Sequence, residues 1–444
     1  MVLVPVIGRE RRAEARPANG SDEPKAPKPA HSPEDRLAEA IGLAEAIDLE
    51  IADATLVPLT NLKPGAFFGS GKVEEIRAQI EAQTVELVIV DHTISPVQQR
   101  NLEKAWNAKV LDRTGLILEI FGRRARTREG RLQVELAHLT YQKSRLVRSW
   151  THLERQRGGA GFLGGPGETQ LELDRRLIQD RIDGLNEELD VVVRTRELHR
   201  SGRRRVPYPI VAIVGYTNAG KSTLFNTVTG AGVVAKDQVF ATLDPTMREV
   251  RLPGGRRIIL SDTVGFISDL PTMLVAAFRA TLEEVIEAHL ILHVRDISHA
   301  ETNAQRADVE HVLDGLGIAT AGPEAHILEV WNKIDRIAPE HREELLHAAR
   351  RNAAPPALVS AITGEGTTEL LALIEQRLAT GDERIVLAVP AANGGLMHWL
   401  HANTEVVESR ADDDGLVHFV LRIDKAKRGR LEGQLKRAGI GMPR

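Results

Sequence analysis

Gly215-Tyr216-Thr217-Asn218-Ala219-Gly220-Lys221-Ser222 is the stretch on which the reading of this 444-residue chain turns. It fits G-x-x-x-x-G-K-[ST]. An apolar run at 210–214 precedes it and a helical pattern that opens with Thr223 follows, which is the strand–loop–helix context the motif needs. Glycines let the backbone wrap phosphates so that its N–H groups point inward. Lys221 then reaches the β/γ oxygens, and the Ser222 hydroxyl is placed to ligate Mg²⁺.

Asp262-Thr263-Val264-Gly265 ends the next apolar run, 257–260, and lies 47 residues after Gly215. An Asp there supports Mg²⁺, and Gly265 offers its N–H to a γ-phosphate. Asn332-Lys333-Ile334-Asp335 follows the run 325–330. The Asp335 carboxylate can accept from both guanine N1–H and N2–H₂, a donor pair that adenine lacks. Ser360-Ala361-Ile362 follows a further strand at 357–359, and the Ala361 N–H is placed for guanine O6. Any one of these could be chance. Their order along one chain predicts a guanine-nucleotide-binding domain over 206–380, with strands at 210–214, 257–260, 290–294 and 325–330 covered on both faces.

Working outward, residues 33–125 alternate helix and strand patterns and predict a small parallel α/β domain. Its helix start is Ser32-Pro33-Glu34-Asp35, and a strand is expected near 51–59. Residues 1–32 are rich in Pro, Ala and charge and read as a disordered tail. Over 126–205, Leu132, Leu136, Leu139, Leu146, Trp150 and Leu153 follow a 4-3 spacing interrupted at Lys143; Ile178, Ile182, Leu185, Leu189 and Val192 repeat it. This predicts an antiparallel helical hairpin whose linker, 157–168, has five glycines within 158–165 and forms an exposed tip. Residues 384–444 read as a small α+β domain with a hairpin turn at Asp412-Asp413-Asp414-Gly415 and a basic closing helix. The fold class is therefore α/β multidomain: a P-loop domain preceded by a small parallel α/β domain with a long helical hairpin and followed by a small α+β domain.

Composition narrows the classes of function. Cysteine is absent, which excludes disulfides, thiolate metal sites and cysteine nucleophiles. No stretch approaches the ~18 apolar residues of a membrane span, and the apolar-then-basic N-terminus has the wrong order for a secretory signal. Lys+Arg 58 against Asp+Glu 62 excludes a globally basic coat but not a local one, and 4 % aromatic content disfavours a surface of many base-stacking platforms.

With these motifs in hand, the chain resembles the translation-factor-like P-loop GTPases. Phe240-Ala241-Thr242-Leu243-Asp244-Pro245-Thr246 resembles the first switch of the Obg–HflX group. RGGAGFLGGPGETQLELDRR at 157–176, FFGSGKVEEI at 67–76 and LDRTGLILEIF at 111–121 resemble the HflX family specifically. The C-terminal unit matches that family only in size and position. The resemblance implies a Mg²⁺-dependent GTPase, slow alone, that binds the large ribosomal subunit and splits stalled ribosomes. It implies nucleotide contacts from 215–223, 240–244, 262–265, Asn332, Lys333, Asp335 and 360–362, with Lys221, Thr242 and Gly265 as the catalytic group and Ser222 and Thr242 on the metal. Asn218 sits where some relatives hold K⁺, a further candidate cofactor. A monomer in the cytoplasm is expected, with peripheral membrane association as the alternative.

Three features qualify this picture. Phe266 stands where Ras-like proteins place a catalytic glutamine, so it cannot orient water by hydrogen bonding. Gly69-Ser70-Gly71-Lys72 imitates the end of a P-loop, but no earlier glycine precedes it at the required spacing and Val73 replaces the hydroxyl; a glycine turn before a helix is the simpler reading. Relatives credited with N-terminal ATP use leave that question open. Charge is uneven: +7 over 121–165, +5 over 194–205 and −5 over 168–190. The basic patches read either as solvated helix faces or as phosphate-backbone contacts to ribosomal RNA through the hairpin, 121–205.

Overall fold

The computed structural model describes residues 1–7, 31–156, 166–203, 208–230, 239–240, 246–271, 274, 282–320, 322, 325–351, 355–379, 382–412 and 415–441. The N-terminal unit contains β1 (Val2–Ile7), α1 (Pro33–Glu45), β2 (Ala54–Leu59), α2 (Ser70–Gln83), β3 (Leu87–Val90), α3 (Pro96–Trp106), β4 (Lys109–Asp112) and α4 (Arg113–Arg124). Its strands form one parallel sheet in the order β2-β1-β3-β4.

β1 corrects the expectation of a tail over 1–32. Val2 aligns with Ala54 on one side and Ile89 on the other, so this strand sits inside the sheet. Alternation explains why it is needed there. Val2 and Val4 enter one core and Leu3 the other, all fully buried. Seven apolar, mostly β-branched residues are a strand by themselves; averaging them with the polar segment behind hid the signal. Residues 8–30 of the expected tail lie outside the described residues. β2 begins at Ala54 rather than near 51.

Local chemistry fixes the helix starts. Ser32 caps α1 by accepting from the Asp35 N–H at 3.1 Å, and Ser95 with Gln98 forms a capping box on α3. Asp112 caps α4 by accepting from the Gly115 N–H at 2.8 Å. The turn Gly69-Ser70-Gly71-Lys72 does open a helix, and Lys72 pairs with Glu75 at 2.6 Å.

α5 (Arg128–Gln156) and α6 (Pro166–Arg203) form the hairpin, of 29 and 38 residues, which at 1.5 Å per residue reach roughly 43 and 57 Å. Residues 157–165 of the expected tip lie outside the described residues. Residues 166–168, read as linker, already belong to α6. Leu132, Ile182 and Leu185 bury the seam, and Lys143 meets Gln179 across it.

The nucleotide domain comprises β5 (Ile210–Gly215), α7 (Lys221–Thr229), β6 (Thr246–Arg251), β7 (Arg257–Asp262), α8 (Glu283–Ile286), β8 (Leu290–Asp296), α9 (Thr302–Gly315), β9 (Ile327–Asn332), α10 (Pro339–Arg351), β10 (Ala357–Leu358) and α11 (Thr367–Ala379). The sheet order is β10-β9-β8-β5-β7-β6, parallel except for the antiparallel edge β6. Sequence reading missed β6 because TMREVR lacks an apolar run; an edge strand does not need one. The C-terminal unit is β11 (Asp382–Pro390), α12 (Gly394–Asn403), β12 (Glu405–Ala411), β13 (Leu416–Asp424) and α13 (Lys425–Arg437), with β13 central in an antiparallel sheet.

The N-terminal unit and the nucleotide domain each have a core of their own, around Leu3 and Phe68 and around Ile213 and Phe225, and they share a third. One cluster joins Val2, Val4, Leu43, Leu116, Ile117, Leu118, Ile120 and Phe121 to Ala212, Val214, Tyr216, Phe240, Val264 and Phe266.

Candidate nucleotide site

The predicted motif residues converge at the carboxyl ends of β5, β7, β8 and β9, the crevice where open α/β sheets hold ligands. Two glycines are demanded by close approach. A Cβ on Gly215 would lie 2.2 Å from the Val294 carbonyl oxygen. Gly220 has φ +92°, and its Cβ would lie 2.3 Å from Asn332 Nδ2. Lys221 opens α7 and bends back so that Nζ donates to the Tyr216 carbonyl at 2.7 Å, inside the loop. Burial pushes its amine down to about 8, with Asp262 opposing and Lys333 adding to the shift. A buried cation held against a neutral carbonyl is poised for an anionic ligand.

Ser222 Oγ donates to Asp262 Oδ2 at 2.7 Å. That oxygen pair has the hard-donor chemistry Mg²⁺ takes when phosphates and water supply its other ligands, so the residues present fit the ion. Gly265 follows closely: an added Cβ would sit 2.9 Å from both Lys221 Nζ and Thr217 Cγ2 and 3.1 Å from Thr217 Cα, so a side chain here would push on the phosphate loop and its lysine. Thr263 spends its hydroxyl on the Ile213 carbonyl at 2.6 Å.

The base-recognition loops are tied to the phosphate loop. Asn332 Nδ2 donates to the Ala219 carbonyl at 2.8 Å, while its Oδ1 accepts from the Ala361 N–H at 3.0 Å. Ser360 Oγ donates to Asp335 Oδ1 at 2.6 Å and orients that carboxylate. Lys333, in the left-handed region at φ +65°, pairs with Asp296 at 2.7 Å. Sequence reading missed Asp296; its signal was an Asp at the end of the apolar run of β8.

Several predicted residues stand apart from this cluster. Ala241, Thr242, Leu243 and Asp244 lie outside the described residues. The Tyr216 and Phe240 side chains are buried in the shared core, which leaves their main chain to meet a nucleotide; the Phe240 ring stands edge-on to Phe121 at 4.7 Å. Val264 is buried there too, and Ile362 is exposed. Phe266, 1 % exposed, is packed in that same core. Its main chain is bridged to the loop, Phe266 N–H to the Gly215 carbonyl and Thr217 N–H to the Phe266 carbonyl.

Four family profiles cover the chain: "GTP-binding GTPase N-terminal" over 34–122, "GTP-binding GTPase Middle Region" over 124–203, "50S ribosome-binding GTPase" over 210–333 and "HflX C-terminal domain" over 345–440. The chain is 50 % identical over 404 residues to "GTPase HflX" of Magnetococcus marinus, covering 91 % of each sequence. It is 44 % identical over 360 residues to "GTPase HflX" of Escherichia coli, covering 81 % of this chain and 83 % of the relative.

The chain belongs to the HflX family of GTPases.

The crevice is accordingly the GTP-binding domain of an enzyme that hydrolyses GTP. Among the described residues, no helix is long and apolar enough to cross a membrane.

Proposed function

We propose that this HflX-family GTPase binds the large ribosomal subunit through its hairpin, dissociates stalled or idle ribosomes into subunits, and hydrolyses GTP to GDP and phosphate as the step that releases it. The observation that carries this reading is the hairpin. Two helices of 29 and 38 residues stand next to a nucleotide domain, with exposed Arg126, Arg128 and Arg131 at their base. An arm this long and thin suits a narrow RNA-lined cleft, and its arginines suit phosphates. The name of the profile over 210–333, "50S ribosome-binding GTPase", points the same way.

Not all of the basic charge is available for RNA. Arg123 donates to the Ile47 carbonyl at 2.6 Å and Arg124 to the Ala46 carbonyl at 3.2 Å, so both hold the end of α1. Arg181 pairs with Glu135 across the hairpin at 2.7 Å.

In the nucleotide crevice, Lys221 neutralises β/γ oxygens, Gly265 offers its N–H to the γ-phosphate and Asp335 selects guanine. Ser222, with Thr242 from the first switch, would hold Mg²⁺, which would supply charge neutralisation to the phosphates. Asn218, at φ +58°, is the candidate K⁺ contact. Turnover is slow in the free protein and accelerated by large subunits.

Co-sedimentation with purified subunits tests this. The protein should pellet with large subunits in a non-hydrolysable GTP analogue and less in GDP. Deleting residues 158–166 should abolish pelleting while leaving GTP affinity intact. A deletion variant that still pellets would overturn the hairpin assignment.

A further inference from the structure

Ser268, three residues beyond Gly265, has every polar group held by its surroundings. Its N–H donates to Tyr216 Oη at 2.8 Å, its hydroxyl donates to Glu39 Oε1 at 2.8 Å, and its carbonyl accepts from Arg113 Nη2 at 2.7 Å. Tyr216 in turn donates to Glu39 Oε2, and Arg113 bridges Glu39 and Asp91. Glu39 belongs to α1 and Arg113 to α4, so the N-terminal unit grips the nucleotide domain directly behind its γ-phosphate sensor. Burial alone would raise the Glu39 carboxyl; the Arg113 guanidinium outweighs that and holds it ionised. The other switch is gripped as well: Phe240 packs on Phe121 of α4, and Val239 lies where a Cβ on Gly42 of α1 would be 3.3 Å from it.

The path does not stop at α4. Asp112, fully buried, caps α4 beside Arg113. It also accepts from the Tyr141 hydroxyl at 2.5 Å and pairs with Arg145, both on hairpin helix α5. The Arg145 guanidinium also lies over the Tyr141 ring, 4.3 Å from its centroid. Ser268 is thus tied to the hairpin by hydrogen bonds to Arg113 and, through its chain neighbour Asp112, to Tyr141 and Arg145, and two main-chain residues join it to Gly265.

We propose that α4 couples nucleotide state to hairpin orientation, with Glu39, Arg113 and Asp112 as positioning residues between Ser268 and Tyr141/Arg145. Drawing Gly265 toward a γ-phosphate displaces Ser268. Its four hydrogen bonds, two of them from Arg113, leave it no slack, so α4 and the helix bonded to its cap move with it. Coupling is reciprocal: a partner that fixes the hairpin changes GTP affinity by the same factor by which GTP changes affinity for that partner. The coupling itself is internal to the chain; that the partner is a ribosomal subunit rests on the function proposed above.

The test uses the full chain and hydrogen–deuterium exchange of the 113–146 amides, in GDP and in a non-hydrolysable GTP analogue. The wild type should show a nucleotide-dependent difference in exchange, on the order of 5-fold or more. Glu39→Gln keeps the shape but removes the charge, and should erase that difference while GDP affinity stays within about twofold. Ser268→Ala leaves every buried charge paired and serves if Glu39→Gln folds poorly; it should reduce the difference at least by half. A merely structural role would lower stability and leave the nucleotide dependence unchanged, which would overturn the proposal, as would a wild type with no difference. Subunit binding distinguishes the two readings. Exchange that responds to nucleotide in a protein that ignores ribosomes retains this inference and removes the proposed function. Subunit binding without the exchange response does the reverse.

Discussion

Phe266→Ala should weaken folding far more than it alters hydrolysis in the free protein. The ring occupies the position of a catalytic glutamine in sequence, yet it is 1 % exposed and packed in the core shared by the N-terminal unit and the nucleotide domain. Truncating a fully buried phenylalanine removes its transfer free energy and leaves a cavity, together about 3–5 kcal/mol. At about 2.1 cal/mol/K of unfolding entropy per residue, a cooperative unit of roughly 300 residues shifts in Tm by about 1.6 °C for each kcal/mol, so a fall of roughly 5–8 °C is expected. Calorimetry on the full chain reads it, with Phe266→Leu as the control that keeps most of the volume and loses under about 1.5 kcal/mol. Basal GTP turnover, measured well below the lowered Tm, should change by less than about threefold. A Tm within 2 °C of wild type together with a large loss of basal rate would refute the reasoning, because the ring would then act at the phosphates rather than in the core.

Asp335→Asn should weaken GTP binding by about 10- to 150-fold, the loss of a charged bidentate pair of about 1.5–3 kcal/mol, and shift preference toward xanthosine nucleotide; undiminished GTP affinity in titration calorimetry would dismiss the guanine assignment. Lys221 ionises near 8 without ligand, so GTP binding at pH 8 should take up roughly half a proton, and affinity should fall as pH rises through that value; enthalpies that do not vary with buffer ionisation heat would contradict this. His31 bonds Glu301 at 2.7 Å and Asp308 at 2.6 Å. Burial lowers its pKa, but these carboxylates more than offset that and raise it to about 9. A raised pKa means stabilisation in full below about 6.5 that is lost as pH climbs through 9. His31→Gln should therefore lower Tm at pH 6 and converge on wild type by pH 9.5, and a constant gap across that window would exclude a charged His31 as the source of the stabilisation.

What the sequence disclosed and what it withheld divide along chain distance. Gly215–Ser222, Asp262–Gly265 and Asn332–Asp335 are short stretches whose function depends on local backbone shape, so spacing alone located them. The hairpin was legible because its seam repeats over many turns. β1 was not, because a lone strand is a seven-residue signal and its partners lie 52 and 87 positions away, at Ala54 and Ile89 opposite Val2. Tyr216 looked like a phosphate-loop residue because of its place in the motif. Its partner Glu39 is 177 positions distant, and nothing in either neighbourhood foretells the contact. Phe266 reads in the sequence as a side chain unable to hydrogen-bond water, but whether an apolar side chain faces ligand or core depends on what covers it. Here the cover is another domain. The boundary near 205 says nothing of the cluster the two units share in addition to their own cores.

The most direct test of the account is a sucrose gradient of intact ribosomes incubated with the protein and a non-hydrolysable GTP analogue. The account predicts conversion of the ribosome peak to free subunits, with the protein migrating on the large one, and no conversion with the 158–166 deletion. An unchanged ribosome peak, with protein bound only to large subunits that were already free, would contradict it and make the chain an assembly factor instead.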